Sequence, residues 1–152
     1  MTVDHEHYMR MAIDQARAAG AGGDIPIGAV VVDSGGEVSA TGSNSREIDC
    51  DPTAHAEILA LRAAGKHLDG WRLTDCTIYV TLEPCPMCAG AITMSRISRL
   101  VFGAWNDEYG AAGSRWDLVR DQRLNHQVEV IPAIMESDCS ALVRDFLAEK
   151  RK

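Results

Sequence analysis

The chain has 152 residues, about the size of one domain, and 46% of them are hydrophobic while 24% are charged. This composition excludes a disordered, collagen-like or coiled-coil chain. The formal net charge is −7, but residues 96–152 hold 9 basic and 9 acidic side chains, so the acidic excess lies within residues 1–95. Most of the basic residues are arginines, which suit phosphate contacts, so the composition permits a nucleic-acid partner.

Neither secretion nor membrane insertion is indicated. Apolar runs such as residues 29–32 are far too short to cross a bilayer, and the N-terminus lacks a basic region followed by an apolar one. We therefore expect a cytoplasmic protein with no membrane partner. The cysteines are odd in number, which favours reduced thiols over a disulfide framework.

The first half of the chain alternates helical and strand patterns. We expect the glycines at positions 20, 22 and 23 to end the first helix. Thr53 is the expected N-cap of the second helix, and Gly65 is its expected exit. The predicted elements are a helix at 5–19, strands at 27–33 and 37–42 joined by a tight turn, and a helix at 53–65.

The second half continues this alternation. Its clearest helix has one apolar stripe, formed by Cys139, Leu142, Val143, Phe146 and Leu147. The predicted elements are strands at 76–82, 98–103 and 127–131 and helices at 86–95, 116–123 and 137–149. Strands that alternate with helices indicate an α/β protein with a layered sheet, and the early hairpin makes part of that sheet antiparallel. We expect residues 1–152 to form a single domain.

Two short segments carry the chemistry, and each begins a predicted helix: His55-Ala-Glu57 and Pro84-Cys-Pro-Met-Cys88. Cys85 and Cys88 are one helical turn apart, so both thiols can point to the same side, at the helix end that favours thiolates. If the two helix starts meet, they present one imidazole and two thiolates, a ligand set that Zn²⁺ accepts. Three protein ligands leave a fourth position for water, as in catalytic zinc sites.

Glu57 is two residues from His55, so it points in another direction around the helix and is placed beside the metal. An H-x-E segment combined with P-C-x-x-C is the signature of zinc-dependent nucleobase deaminases. In that reaction metal-activated water attacks the amino-bearing ring carbon, and the glutamate transfers protons. Two other interpretations of Cys85 and Cys88 stay open: a structural zinc knuckle, which lacks an evident fourth ligand, and a redox pair.

These motifs and their flanks resemble the bacterial tRNA-specific adenosine deaminases, which convert the wobble adenosine of an anticodon to inosine. The resemblance covers nearly the whole chain and is densest in Asp51–Ile58, Tyr79–Gly90, Val101–Ala104, Gly110–Ser114 and Leu124–His126. It implies a three-layer α/β/α, cytidine-deaminase-like fold with a five-stranded mixed sheet, one zinc ion per subunit and a homodimer. The implied substrate is a tRNA anticodon stem-loop, with arginine tRNA favoured by the family.

The resemblance also implies roles for individual residues. His55, Cys85 and Cys88 are implied zinc ligands, and Glu57 is the implied proton shuttle. Asn44 matches an asparagine that holds the flipped-out base, although an Asn among Gly and Ser residues also serves turn chemistry.

Further implied contacts with tRNA lie later in the chain. Asn125 matches a second asparagine that contacts the nucleotide. The C-terminal helix of the family lies against the anticodon stem, where Arg144 and the run Lys150-Arg151-Lys152 could bind. Basic residues at a helix end also complement the helix dipole, so this second interpretation stays open.

One position departs from the family pattern. After Phe102-Gly-Ala104 the family commonly has an aspartate near the site, where this chain has Asn106 followed by Asp107. An aspartate accepts a hydrogen bond from a 2′-hydroxyl and repels nearby phosphate, whereas an asparagine keeps some of the hydrogen bonding without the charge. We therefore expect weaker discrimination between RNA and DNA.

Two rival functions remain open at this point. A deaminase of the same fold that acts on a free base, such as guanine or cytosine, would share every zinc residue and differ at the rim of the site. A non-catalytic, zinc-stabilised RNA-binding module is less favoured, because a structural site has no need of Glu57. We do not expect Cys50 to bind the metal, and we expect Cys76 and Cys139 to be buried.

Overall fold

A computed structural model describes residues 2–151 and confirms the predicted alternation of helices and strands. No helix within these residues is long and apolar enough to cross a membrane. In chain order the elements are α1 (His5–Ala21), β1 (Gly28–Val32), β2 (Val38–Ser43), α2 (Ala56–His67), β3 (Thr77–Leu82), α3 (Pro86–Met94), β4 (Arg99–Ala104), a single 3₁₀ turn (Leu118–Arg120), β5 (Glu129–Ile131) and α4 (Glu136–Lys150).

The strands form one mixed sheet in the order β2-β1-β3-β4-β5. β1 is antiparallel to both β2 and β3, whereas β3, β4 and β5 run parallel. Gly28 pairs with Ser43, and Leu82 pairs with Ala104. Because β1 is reversed, its start lies at the same edge as the ends of β2, β3 and β4. We call this edge, formed by Gly28, Ser43, Leu82 and Ala104, the loop edge.

Helices cover both faces of the sheet. On one face α2 and α3 pack against strand residues such as Ile78, and Ile92 contributes from α3. On the other face α1 and α4 pack against Tyr79, with Met9 and Cys139 as buried helix residues. Consecutive residues of β3 therefore point to opposite faces, as the period of a strand requires. The result is the predicted three-layer α/β/α architecture with a five-stranded mixed sheet.

The first turn of α2 lies directly on β2. A side chain at Gly42 would collide with the backbone oxygen of Ala56 and the backbone nitrogen of Ala60. Only glycine allows this close approach. The start of α2 is thereby brought to the loop edge.

The predicted boundaries of the second helix were wrong at both ends. The N–H and hydroxyl of Thr53 both donate to Asp51 Oδ1, at 2.8 and 2.9 Å, so Thr53 belongs to a turn and does not cap the helix. His55 takes the N-cap position in an extended conformation. Gly65 lies inside α2, which continues to His67.

The end of α1 was predicted in part. The helix passes through Gly20 and ends at Ala21, and Gly22 is its C-cap, as expected, with its N–H donating to the Ala18 and Ala19 carbonyls. The helix predicted at 116–123 is only the single 3₁₀ turn Leu118–Arg120, because its backbone pairs with other segments: the Leu118 N–H donates to the Ala111 carbonyl, and the Val119 carbonyl accepts the Val128 N–H.

α4 buries less of its apolar stripe than the sequence pattern suggests. Cys139 is buried and Leu142 is half-buried against the α1 and α4 side of the core. Leu147, two turns further on, is 40% exposed. The later part of the stripe, Val143 and Leu147, lines a surface groove of about 330 Å³. The stripe therefore packs in the core at its start and lines a surface groove at its end.

Candidate active site

Two helix starts meet at the loop edge. His55 is the N-cap of α2 and Cys85 is the N-cap of α3, and neither side chain makes a capping hydrogen bond. His55 Nδ1 lies 3.7 Å from Cys85 Sγ and 3.4 Å from Cys88 Sγ. All three atoms lie within 4.8 Å of one another. The structure thus brings together the three residues that the sequence predicted as ligands.

The three donor atoms fit a zinc ion. Tetrahedral zinc with bonds of about 2.0 Å to nitrogen and 2.3 Å to sulfur separates a nitrogen from a sulfur ligand by about 3.6 Å. The observed separations, 3.4 and 3.7 Å, lie on either side of that value. One imidazole with two thiols also selects zinc over hard cations such as Mg²⁺ and Ca²⁺. Zn²⁺ is therefore the metal that this donor set is built to hold.

The three donor groups shift one another's pKa. A hydrogen bond from Cys88 lowers the pKa of the Cys85 thiol to about 4, and His55 contributes further to this lowering. The same hydrogen bond, together with burial, raises the pKa of Cys88. The hydrogen bond with Cys85 raises the pKa of His55. Both cysteines also lie at the positive end of the α3 dipole, which favours thiolate as a ligand.

Glu57 lies in the first turn of α2 and is only 4% exposed. Burial raises the pKa of its carboxyl group to about 7. The carboxyl group lies close enough to the Cys88 thiol that each shifts the pKa of the other. Glu57 therefore lies beside the three-donor cluster and is not one of its members. A buried carboxyl group in this position can take up and release a proton near neutral pH.

Asn44 follows β2 at the loop edge and is buried. Its Nδ2 donates to the Ile25 carbonyl at 3.3 Å. The next residue, Ser45, donates its backbone N–H to the carbonyl of Ala54, which immediately precedes His55. Asn44 thus belongs to the chain segments that flank the zinc ligand, and its side chain also ties two loops together.

Asn106 follows β4 at the same edge. Its backbone N–H donates to Glu83 Oε1 at 3.1 Å, and its Oδ1 accepts the Tyr109 N–H at 3.1 Å. The side-chain oxygen is therefore used within its own turn. The Nδ2 amide is the polar group that remains to meet a ligand.

Two of the predicted tRNA contacts are exposed, and a third is not covered by the structure. Asn125 is exposed in the turn before β5. Lys150 lies at the end of α4, where its Nζ is 5.4 Å from the centre of the Phe146 ring. Lys152 lies outside the described residues.

The two predicted arginine contacts line one groove. Arg144 lies on α4 and Arg151 is its C-cap, two turns further on, and the groove they line also includes Trp105, which follows β4 and is 40% exposed. Val143 and Leu147 add apolar surface to the same groove, and none of its lining residues is acidic. The sequence analysis did not single out Trp105.

Glu83 is a buried residue at the site that the sequence analysis missed. It is 1% exposed and lies two residues before Cys85. Its carboxylate accepts the backbone N–H groups of Asn106, Ala112 and Ser114, and also the Ser114 hydroxyl. The only signal in the sequence is an acid at the end of an apolar strand, and many solvent-exposed strand ends have the same pattern.

The remaining cysteines behave as expected. Cys50 is exposed and lies outside the three-donor cluster, whereas Cys76 and Cys139 are buried.

Relatives of this chain are known at the level of sequence. Residues 2–104 match the cytidine and deoxycytidylate deaminase zinc-binding region. The chain is 45% identical to the tRNA-specific adenosine deaminase of Bacillus subtilis (strain 168) over 152 residues, which cover 100% of this chain and 93% of the relative. It is 46% identical to the tRNA-specific adenosine deaminase of Haemophilus influenzae over 147 residues, which cover 97% of this chain and 85% of the relative.

Solved structures share the fold. One, from a study of A-to-I editing by tRNA:A34 deaminases at the wobble position of transfer RNA, has a TM-score of 0.86 and 40% identity, covering 90% of this chain and 98% of that one. Another, the guanine deaminase from Nitrosomonas europaea, has a TM-score of 0.84 but 26% identity, covering 97% of this chain and 86% of that one. The TM-scores of these two structures are nearly equal, whereas the sequence identity is higher for the structure from the tRNA:A34 deaminase study.

Proposed function

The chain belongs to the cytidine and deoxycytidylate deaminase zinc-binding family, and from this premise we propose that it deaminates adenosine to inosine at the wobble position of a tRNA. The observation that carries the substrate is the 45% identity to a tRNA-specific adenosine deaminase over the full length of this chain. The chemistry is supported separately, by a three-donor metal site with a buried glutamate beside it.

The metal site has a defined task in this reaction. His55, Cys85 and Cys88 hold the zinc ion. When bound, zinc supplies the Lewis acidity that makes water a nucleophile near neutral pH. The positive ends of the α2 and α3 dipoles favour the neutral imidazole and the thiolates, the forms that bind metal.

Glu57 moves the protons. Its carboxylate accepts a proton from the attacking water and delivers a proton to N1 of adenine, while the water oxygen bonds to C6. It then takes the proton of the new hydroxyl on C6 and passes it to the amino group, which leaves as ammonia. One water molecule is consumed and inosine is formed. Burial of Glu57 keeps bulk water from competing for these protons.

Binding of the anticodon loop is assigned to residues around this pocket. Asn44 holds the flipped-out base, and Asn106 lies where the sugar of the target nucleotide is expected. Asn125, Arg144, Lys150 and Arg151 contact the RNA outside the pocket. An anticodon loop is already single-stranded, so extruding its base costs little.

We also propose which tRNA is the substrate, where the protein acts and how its subunits assemble. We assign an arginine tRNA as substrate and a cytoplasmic location by family resemblance, and treat residues 1–152 as one catalytic domain. We further assign a homodimer with one zinc ion per subunit. Three large apolar side chains, on α3 and in the loop after α2, support a subunit contact, since they are exposed in the single chain: Trp71, Met87 and Met94.

The rival functions are weaker. A free-base deaminase keeps the same zinc site, but the guanine deaminase relative shares only 26% of its residues with this chain. A non-catalytic RNA-binding module does not account for Glu57, whose burial beside a metal site is costly unless the carboxyl group has a role.

An inosine assay tests the proposal. Zinc-loaded protein is incubated with an anticodon stem-loop that has a wobble adenosine and, separately, with free adenosine, adenine, guanine and cytosine. We expect inosine in the stem-loop only. Turnover of a free base with an untouched stem-loop would overturn the substrate and leave the zinc chemistry standing.

A further inference from the structure

Two fully buried carboxylates lie at the loop edge and have no part in the proposed chemistry. Asp24 and Glu83 are each 1% exposed. Asp24 precedes β1 and accepts the N–H groups of Glu47 and Ile48, at 3.1 and 3.4 Å. Glu83 follows β3 and binds a different loop, residues 106–114. A buried carboxylate must be satisfied by donors, and here backbone N–H groups supply them.

The carboxylate of Glu83 is the anchor of the loop 106–114. Oε1 accepts the Asn106 N–H at 3.1 Å and the Ser114 hydroxyl. Oε2 accepts the N–H groups of Ala112 and Ser114, both at 3.0 Å. A side chain at Gly110 would collide with the carboxylate, so the loop closes tightly around it. Both ends of the loop are therefore held by one side chain.

The same loop is tied to the zinc-binding helix start. The Ala111 N–H donates to the carbonyl of Pro84 at 2.8 Å, next to Cys85. The N–H of Glu83 donates to the Ala104 carbonyl at 2.8 Å, which fixes the end of β4. Glu83 thus sets where the loop lies relative to the zinc ligand Cys85.

We propose that Glu83 is a positioning residue for substrate binding, which acts through Asn106 by fixing the loop 106–114 against the start of α3. The inference depends on the proposed function, because it takes the loop to contact the tRNA. Glu83 does not touch the substrate or the metal. Its loss lowers affinity for the stem-loop and leaves zinc binding in place.

The substitution Glu83→Gln weakens one contact in particular, the hydrogen bond from the Asn106 N–H. If its amide oxygen takes the place of Oε2, it still accepts from Ala112 and Ser114. Its amide nitrogen then replaces Oε1, where it can donate to the Ser114 hydroxyl but faces the Asn106 N–H, so two donors oppose each other. The variant therefore releases the loop at Asn106 while most of the network survives. Asp24→Asn is the matched control, since it changes an equally buried carboxylate that binds another loop.

A double-mutant cycle separates positioning from a general loss of stability. Glu83→Gln is made alone and together with Asn106→Ala, and dissociation constants for the stem-loop are measured with zinc content and melting temperature. We expect Glu83→Gln alone to weaken binding about tenfold, the cost of one unsatisfied buried donor. Asn106→Ala keeps the backbone N–H that Glu83 accepts and removes the side-chain amide. In this background we expect the effect to shrink below about twofold, because the group that Glu83 positions toward the RNA is gone.

The outcomes are distinct. The positioning role would be overturned if Glu83→Gln weakened stem-loop binding equally in both backgrounds, or if Asp24→Asn weakened it as much. If the unaltered chain binds no stem-loop, the proposed substrate is wrong. Amide hydrogen exchange then tests whether Glu83 holds the loop 106–114 in place. In that case faster exchange at residues 106–114 in Glu83→Gln, and not in Asp24→Asn, supports the inference, and unchanged exchange overturns it.

Discussion

The zinc corner and the C-terminal rim of the molecule are built in opposite ways. At the zinc corner, His55, Cys85 and Cys88 stand on two helix starts that pack directly on the sheet, and Glu57 is buried beside them. On the rim, Arg144 has an exposed side chain paired only with its neighbour Asp145 at 3.6 Å. The groups proposed for the chemistry are held at two helix starts, with Glu57 buried, whereas the arginine proposed to meet the RNA is exposed to solvent.

The comparison predicts separate effects for the two regions. Changes at the zinc corner should lower the rate of the chemical step, while changes on the rim should lower affinity. The four predictions that follow test this division, from the largest expected effect to the smallest.

Cys88→Ala should abolish both zinc binding and activity, because two donors do not hold the ion in a tetrahedral site. Metal content by elemental analysis and inosine formation are the measurements. Cys139→Ser is the control, since it alters another buried cysteine on the opposite face of the sheet and should retain zinc. A Cys88→Ala protein that keeps a full equivalent of zinc would remove Cys88 from the ligand set.

Glu57→Gln should lower the rate of deamination by about 10²- to 10⁴-fold, the usual contribution of a proton-transfer group, with zinc still bound. The amide keeps the shape of the side chain and loses its ability to accept a proton. Glu37→Gln removes the same charge at an exposed position in the turn between β1 and β2, and should leave the rate unchanged. A Glu57→Gln protein with normal turnover would disprove the proton-shuttle role.

Arg144→Ala and Arg151→Ala should each weaken stem-loop binding several-fold and lower the slope of log K against log salt by about one, as expected for a lost phosphate contact. Neither change should affect the melting temperature, because both side chains lie on the surface. Arg10→Ala, which removes an exposed arginine on α1 that pairs with Glu6 at 3.2 Å, is the control. An unchanged salt slope in both variants would exclude these residues from the RNA contact.

Asn106→Asp should raise the ratio of RNA to DNA deamination a few-fold. The carboxylate accepts a hydrogen bond from a ribose 2′-hydroxyl, which deoxyribose lacks. Rates on a stem-loop and on its deoxyribose counterpart, measured side by side, give the ratio. An unchanged ratio would show that this position does not sense the sugar.

The zinc corner could be predicted from the sequence because its residues lie in short local motifs. His55 and Glu57 are two residues apart, Cys85 and Cys88 are three apart, and each pair needs only one helix start to be oriented. Only the meeting of the two helices depends on the whole fold, and the alternation of strands and helices supplied that expectation.

Features that depend on distant contacts could not be predicted in the same way. Glu83 gains its donors from residues 23 to 31 positions away in the chain, so nothing next to it reveals its role. α2 begins later than the sequence predicts, because the Thr53 N–H donates to Asp51 in a turn that precedes the helix. The stripe on α4 has the right period, but the sequence does not show that only its first part reaches the core.

We expect the zinc corner to set the rate and the rim to set the affinity. Single-turnover deamination of the stem-loop, measured over a range of enzyme concentrations, tests this expectation most directly. The unaltered chain is compared with Glu57→Gln and with the double variant Arg144→Ala/Arg151→Ala. We predict that Glu57→Gln lowers the plateau rate at an unchanged half-saturating concentration, and that the arginine variant raises the half-saturating concentration at an unchanged plateau. The reverse pattern, a lower plateau for the arginine variant or weaker binding alone for Glu57→Gln, would contradict it.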